Sequence, residues 1–222
     1  MLGYGVQTTT LRIGSSDFQI RGLSDKQQFS DPDGDAARAG ISSATWPLFG
    51  VVWPSGLALA EAMSSFGVEG HRVLEVGCGL ALSSLVLQRR RADITASDHH
   101  PLAAEFLRHN AELNHLPPIA FQRAAWEGPN PDLGRFDLII GSDLLYERDH
   151  PALLSQFLAC HAKPDAQVIL ADPGRSRCGQ FGERMAAQGY ARTEPWPRFT
   201  GEHAAGSSSL RGRILSFIRR TD

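Results

Sequence analysis

The sequence has 222 residues, enough for one sizeable core, so one domain is expected rather than two. Apolar residues make up 42% and charged residues 21%, and a formal charge of −2 gives no overall pull toward nucleic acid or an anionic membrane. The N-terminus lacks the basic and apolar regions of a secretion signal, and no apolar run nears the ~20 residues of a spanning helix.

Cys78, Cys160 and Cys178 are odd in number and in no CxxC spacing, so neither a disulfide framework nor a metal site is expected. A cytoplasmic location without a membrane or nucleic-acid partner follows as the expectation. Of 22 basic residues only Lys26 and Lys163 are lysine. Codon bias in a GC-rich bacterial genome explains this simply; avoidance of self-modification by a lysine-modifying enzyme is the sharper alternative.

Residues 9–23 alternate polar and apolar around GSSD and predict a small β-hairpin. Residues 24–45 are rich in Asp, Gly, Ser and Ala and predict a mobile loop. WPLFGVVWPSGLALAEAM then places Pro54 in the first turn of a helix, where its missing N–H costs nothing. From residue 72 apolar runs suited to buried strands follow at 72–77, 92–97, 119–125, 135–141 and 166–172. Helix-length segments lie between several of them, beginning at Ala81, Pro101, Pro151 and Gly179. Short apolar strands separated by amphipathic helices predict an α/β fold, a mostly parallel sheet covered on both faces. YARTEPW, a loop at 197–209 and LRGRILSFIRR predict a terminal antiparallel hairpin.

In such a sheet, ligands bind beyond the carboxyl ends of the strands, where strand order reverses. The first strand ends in LEVGCGLALSS, where Gly77 and Gly79 allow a tight turn and close approach to a ligand. The sixth position from Gly77 is Leu82, which departs from the dinucleotide pattern and argues against a dehydrogenase. Asp98 follows Gly79 by 19 residues, near the ~20-residue offset of an acid that reads ribose hydroxyls; a helix cap before Pro101 is the plain alternative. His99 and His100 predict an exposed turn, not a metal site. Trp126 offers a flat face for an adenine or, equally, a core side chain. The fourth strand ends in GSDLLYE, which places Asp143 at the same edge, with Leu144 and Leu145 packed beneath and the Tyr146 hydroxyl toward the cleft.

From about residue 46 onward this assembly resembles the class I, seven-strand S-adenosylmethionine-dependent methyltransferases. More narrowly it is similar to the DxxY branch of protein-lysine methyltransferases. The resemblance is carried by WPSGLALAE, LEVGCGLAL, Ser97–Asp98, Ala125–Trp126 and DLLYE at 143–147, with DPGR at 172–175 similar to bacterial relatives of the electron-transfer-flavoprotein lysine methyltransferases. It implies a Rossmann-like, doubly wound sheet of seven strands, residues 46–222 binding S-adenosylmethionine and 1–45 an extension of the same domain. It implies cofactor contacts from Trp53, Glu75, Gly77, Cys78, Gly79, Asp98, His99, Trp126 and Ser142, and places Asp143 and Tyr146 beside the methyl-transfer path. Two departures stand out: Ala81 replaces the third glycine of the turn, a small change, and Ala125 stands where relatives often carry an acid for the adenine amino group.

A lysine acceptor must lose its proton before attack, and with a pKa near ~10.4 only about one in 10³ is neutral at pH 7. A lone carboxylate would raise that value, so Asp143 is expected to position the acceptor first and to take a proton only secondarily. SDLLY in place of NPPY or DPPY lowers planar amide or nucleobase acceptors. Protein lysine is therefore the leading acceptor for a monomeric enzyme that leaves S-adenosylhomocysteine. A small-amine methyltransferase and a non-catalytic cofactor-binding module are the alternatives, and acceptor choice is expected to reside in the N-terminal hairpin and the loops at 24–45 and 197–209.

Overall fold

The structure, a computed structural model, describes residues 3–202 and 209–219. Strands β1 (Val6–Ile13) and β2 (Ser16–Leu23) pair antiparallel as the expected hairpin, which starts three residues earlier than its pattern suggested. The expected loop at 24–45 holds a one-turn helix, α1 (Asp35–Arg38). The Asp31 carboxylate accepts the N–H groups of Ala36 and Ala37 at 2.9 Å each. Ile41 and Trp46 bury their side chains after it, so the segment is tied to the core by capping and apolar burial that composition alone did not reveal.

A 3-10 turn at Trp46–Gly50 leads to α2 (Pro54–Met63), with Pro54 at its start. Then β3 (Arg72–Val76), α3 (Leu82–Arg89), β4 (Asp93–Asp98), α4 (Ala103–Leu113), β5 (Ala120–Arg123) and β6 (Phe136–Ser142) alternate. α5 (His150–His161), β7 (Ala162–Asp172), α6 (Arg177–Ala187) and β8 (Tyr190–Thr193) complete the series. The loop expected at 197–209 contains a further strand, β9 (Phe199–Glu202), paired with β10 (Ser209–Arg219), because the chain folds back along β10 before β10 meets β8; residues 203–208 of that segment lie outside the described residues.

Seven strands form one path in the order β5-β4-β3-β6-β7-β10-β8, with β9 attached to β10. The neighbours from β5 to β7 are parallel, and β10 runs antiparallel to both β7 and β8. Alternate residues of β6 serve opposite faces: Leu138 and Ile140 pack with α2, α3 and α4, whereas Ile139 packs with α5 and α6. Helices therefore cover both faces, which is the doubly wound arrangement. Strand order reverses between β3 and β6, and that crevice positions the site. No helix among the described residues is long and apolar enough to cross a membrane.

The hairpin is fastened to the main sheet's helices. Asn110 on α4 and Asn114, the C-cap one turn later, hydrogen-bond the backbone of Arg21 and Gln19 on β2. Glu61 on α2 accepts the Gly14 N–H at 2.7 Å, and the Arg89 guanidinium lies 3.9 Å from the Phe18 ring centroid. The Arg89–Arg91 run is thus more than a charged helix end.

Candidate active site

The tips of β3 and β6 lie side by side, Val76 paired with Gly141, so the Gly77 turn and the Asp143 turn leave the sheet together. Gly77 and Gly79 have φ of 58° and 51°, a region that side chains disfavour. A Cβ on Gly77 would lie 2.6 Å from Cδ2 of Leu144, and one on Gly79 would lie 2.7 Å from the Phe49 carbonyl oxygen. Ala81 shares this left-handed conformation at φ 58° and is fully buried at the start of α3. Its replacement of the third glycine therefore carries backbone strain, more than the small change expected from its size.

Asp98 ends β4, buried, and closes the glycine turn from the side. Its Oδ2 accepts the Gly79 N–H at 2.8 Å, its Oδ1 accepts the His100 N–H at 2.9 Å, and the His99 ring lies 3.5 Å away. Burial alone would raise the Asp98 carboxyl, yet His99 and the two N–H groups outweigh it and hold the group below its usual range. His99 is raised in turn, chiefly by its bond to Asp98. His100 does not sit in an exposed turn: it is 3% exposed and stacks on Phe49 with centroids 3.7 Å apart. Its apolar surroundings push the imidazole down to about 4, so it is neutral at physiological pH.

Glu75 is buried one residue before the strand end. Its Oε2 accepts both the N–H and the hydroxyl of Ser84, at 2.8 and 2.5 Å, bracing the first turn of α3. Burial raises its carboxyl to about 7 against those bonds. Cys78 is also buried, its N–H bound to the Ser97 carbonyl, and burial drives its thiol well up. Trp126 is half-buried, its ring 3.9 Å from a Cβ on Gly77 and edge-on to His150 at 5.1 Å. Trp53 donates its indole N–H to the Leu48 carbonyl just before α2. At the same helix start, a Cβ on Gly56 would lie 3.4 Å from Oγ of Ser142.

Asp143 has φ 55°, unusual for a non-glycine residue, and its N–H bonds to the Ala171 carbonyl at 2.8 Å. Leu144 and Leu145 pack beneath, as the spacing implied. Tyr146 is half-buried against His150, ring centroids 4.5 Å apart, and His150 Nδ1 lies 2.6 Å from the Leu144 carbonyl. Burial, then the negative fields of Asp98, Glu147 and Asp143, push the phenol up to about 12. A hydroxyl so raised stays protonated at neutral pH and serves as a hydrogen-bond donor, not as a base.

This edge of the sheet thus assembles a glycine turn, an acid at the second strand tip, an indole and a strained acid-leucine-leucine-tyrosine turn. The family described as lysine methyltransferase matches residues 45–182. The chain belongs to that family. Among curated relatives, it is 31% identical over 135 residues to the electron transfer flavoprotein beta subunit lysine methyltransferase of Xenopus laevis, spanning 59% of this chain and 54% of the relative. It is 34% identical over 142 residues to the protein N-lysine methyltransferase METTL21A of Danio rerio, spanning 58% of this chain and 63% of the relative. The chain spans about half the length of the curated flavoprotein-subunit methyltransferases it matches.

Solved structures share the fold. The T. thermophilus 16S rRNA N2 G1207 methyltransferase, in complex with AdoMet and guanosine, superposes with a TM-score of 0.65 at 20% identity, over 99% of this chain and 52% of that one. Magnesium protoporphyrin IX methyltransferase from Synechocystis PCC 6803, with bound SAM, gives 0.57 at 18%, over 75% and 78%.

Of the residues singled out from sequence, the family's fold brings Gly77, Gly79, Asp98, Trp126 and Asp143 to one crevice. Glu75 and Cys78 lie buried behind it. The sequence pattern carries no signal for His150, which sits between Trp126 and Tyr146, and for Arg175 only its place in the DPGR motif.

Proposed function

We propose that the chain is an S-adenosylmethionine-dependent protein-lysine methyltransferase. The observation that carries this reading is the shared crevice at the β3–β6 switch point. There Gly77 and Gly79 leave a backbone cradle that any Cβ would fill, closed by the buried Asp98 carboxylate. The chemistry of that donor set suits the cofactor: Asp98 for the ribose hydroxyls, Trp126 for the adenine face, and Glu75 and the glycine turn for the methionine end. Trp53, Ser142, Cys78 and His99 enclose it. When bound, the cofactor supplies an activated methyl group, and the protein's share is alignment, exclusion of water and electrostatic guidance.

Asp143 and Tyr146 flank the approach of the acceptor. The Asp143 N–H is tied to the Ala171 carbonyl near the end of β7, and the Tyr146 hydroxyl, protonated at neutral pH, is available as a hydrogen-bond donor. A protein acceptor is supported by the family and by the names of two curated relatives, an electron transfer flavoprotein beta subunit lysine methyltransferase and a protein N-lysine methyltransferase. We further infer a monomer acting in the cytoplasm of a bacterium, with residues 1–45, the hairpin and the segment that follows it, part of one domain with 46–222 and with no nucleic-acid or membrane partner. The lysine-poor composition and near-neutral charge support that placement. Incubating purified protein with a lysate and radiolabelled cofactor tests the reading, followed by mass spectrometry. Label on a protein lysine is the expected result, and label confined to small molecules would overturn the choice of acceptor.

A further inference from the structure

Arg175 has no place in the machinery above, yet the fold aims it at the centre. It ends the turn Asp172–Pro173–Gly174–Arg175 after β7. Asp172, 2% exposed, accepts the N–H groups of Gly174 and Arg175 through Oδ1 at 2.7 Å each. Gly174 takes φ 91°, which sends the next residue back over the neighbouring strand tip. There Nε and Nη2 of Arg175 both donate to Oδ1 of Asp143, at 2.9 and 2.6 Å. The pair is partly shielded, with Asp143 at 13% side-chain exposure and Arg175 at 39%. If Asp143 served only to attract an ammonium by charge, a resident guanidinium would compete with it.

The competition has a use. An isolated carboxylate stabilises the protonated amine, which has no lone pair for attack. A carboxylate already paired with a guanidinium still accepts hydrogen bonds, while the pair has almost no net charge. Tyr146 samples the same field: Asp98, Glu147 and Asp143 raise its phenol, and Arg175 opposes them. Among the described residues near this edge, burial and then Asp172 raise the Cys178 thiol while Arg213 and Arg192 lower it, and the His150 ring packs against Tyr146.

We propose that Arg175 is a positioning residue for methyl transfer, its guanidinium cancelling the field of Asp143 so that Asp143 orients the acceptor amine without favouring its protonated form. The inference rests on the lysine methyltransferase reading. In it the acceptor ammonium releases one proton to solvent, the nitrogen lone pair forms the new C–N bond as the C–S bond breaks, and the methylated ammonium is the product.

The test compares wild type, R175Q and R175K in initial rate of methyl incorporation into the labelled lysate protein, between about pH 6 and 10. In R175Q the acidic limb should move upward by on the order of one pH unit, making the variant about tenfold slower at neutral pH and closing the gap near pH 10. R175K, which keeps the charge, should fall between the two. Melting temperature and cofactor affinity should hold, since Arg175 is a partly exposed side chain. A rate lowered by one factor at every pH, or an unchanged profile, overturns the role of Arg175 while wild-type activity preserves the functional reading. A wild type that binds cofactor but labels no amine overturns both.

Discussion

Asn114, the C-cap of α4, treats Gln19 as a neighbouring strand would, accepting its N–H at 2.9 Å and donating to its carbonyl at 2.7 Å. Asn110 does the same for Arg21, at 2.7 and 3.2 Å. One helical turn rises about 5.4 Å, close to two strand residues at about 3.3 Å each, so side chains four apart on α4 match alternate residues of β2. The open edge of the hairpin is thereby satisfied by a helix. Asn114→Ala would orphan two backbone groups and should cost about 1–3 kcal/mol in urea unfolding. If the hairpin were an independent appendage, the main transition would not move, and an unchanged midpoint would refute its docking as part of one unit.

Asp143→Asn separates charge from shape. Asparagine tolerates φ 55° as well as aspartate does, whereas alanine would add backbone strain of about 1 kcal/mol and confuse the result. Methyl transfer should fall at least about 100-fold, while calorimetric affinity for S-adenosylhomocysteine stays near wild type. Retained transfer at unchanged cofactor affinity would remove Asp143 from the mechanism.

Much of the sheet was legible because its signals are local: five apolar runs, the glycine turn and the acid at 98 each announce themselves within a few residues. The Asn110 and Asn114 ladder was not, because a polar helix face looks the same whether water or a strand edge accepts it. His100 was misplaced for a related reason. A His–His–Pro turn reads as solvent-exposed until Phe49, some fifty residues earlier, is found stacked on its ring. Arg175 belongs to the DPGR motif, but its partner lies 32 residues away at another strand tip. A strand hidden at 199–202 went unread because its pairing with β10 is tertiary and its sequence holds a glycine.

The two turn glycines should differ when replaced. Both lie at positive φ, so alanine adds about 1 kcal/mol of backbone strain at either. At Gly77 the new methyl meets Cδ2 of Leu144, the far end of a side chain that can rotate away. At Gly79 it meets the Phe49 carbonyl oxygen, which is backbone and cannot. Gly79→Ala should therefore destabilise by about 2–4 kcal/mol, clearly more than Gly77→Ala. Thermal unfolding of the two variants checks the order, and equal losses would mean the Phe49 segment yields more readily than its packing implies.

Glu75 gives the fold a pH dependence whose sign is fixed by burial. Its ordinary value of 4.5 rises to about 7 in the folded protein, because desolvation exceeds what the Ser84 bonds return. Between those two values the folded state holds a proton that the unfolded chain has lost. Its contribution to stability is therefore full below about 4.5 and disappears as pH rises through about 7. Across that window the change amounts to a few kcal/mol. Glu75→Gln removes the titration while keeping an oxygen to accept from Ser84. Urea unfolding of both proteins at pH 5 and pH 7.5 should show wild type losing stability relative to Glu75→Gln as pH rises, and a constant difference would mean the carboxyl titrates alike in both states. If the cationic methionine end of the cofactor lies against Glu75, it lowers that proton affinity again. Binding measured near pH 6.5 in buffers of different ionisation enthalpy should then release a fraction of a proton, and Glu75→Gln should abolish the release.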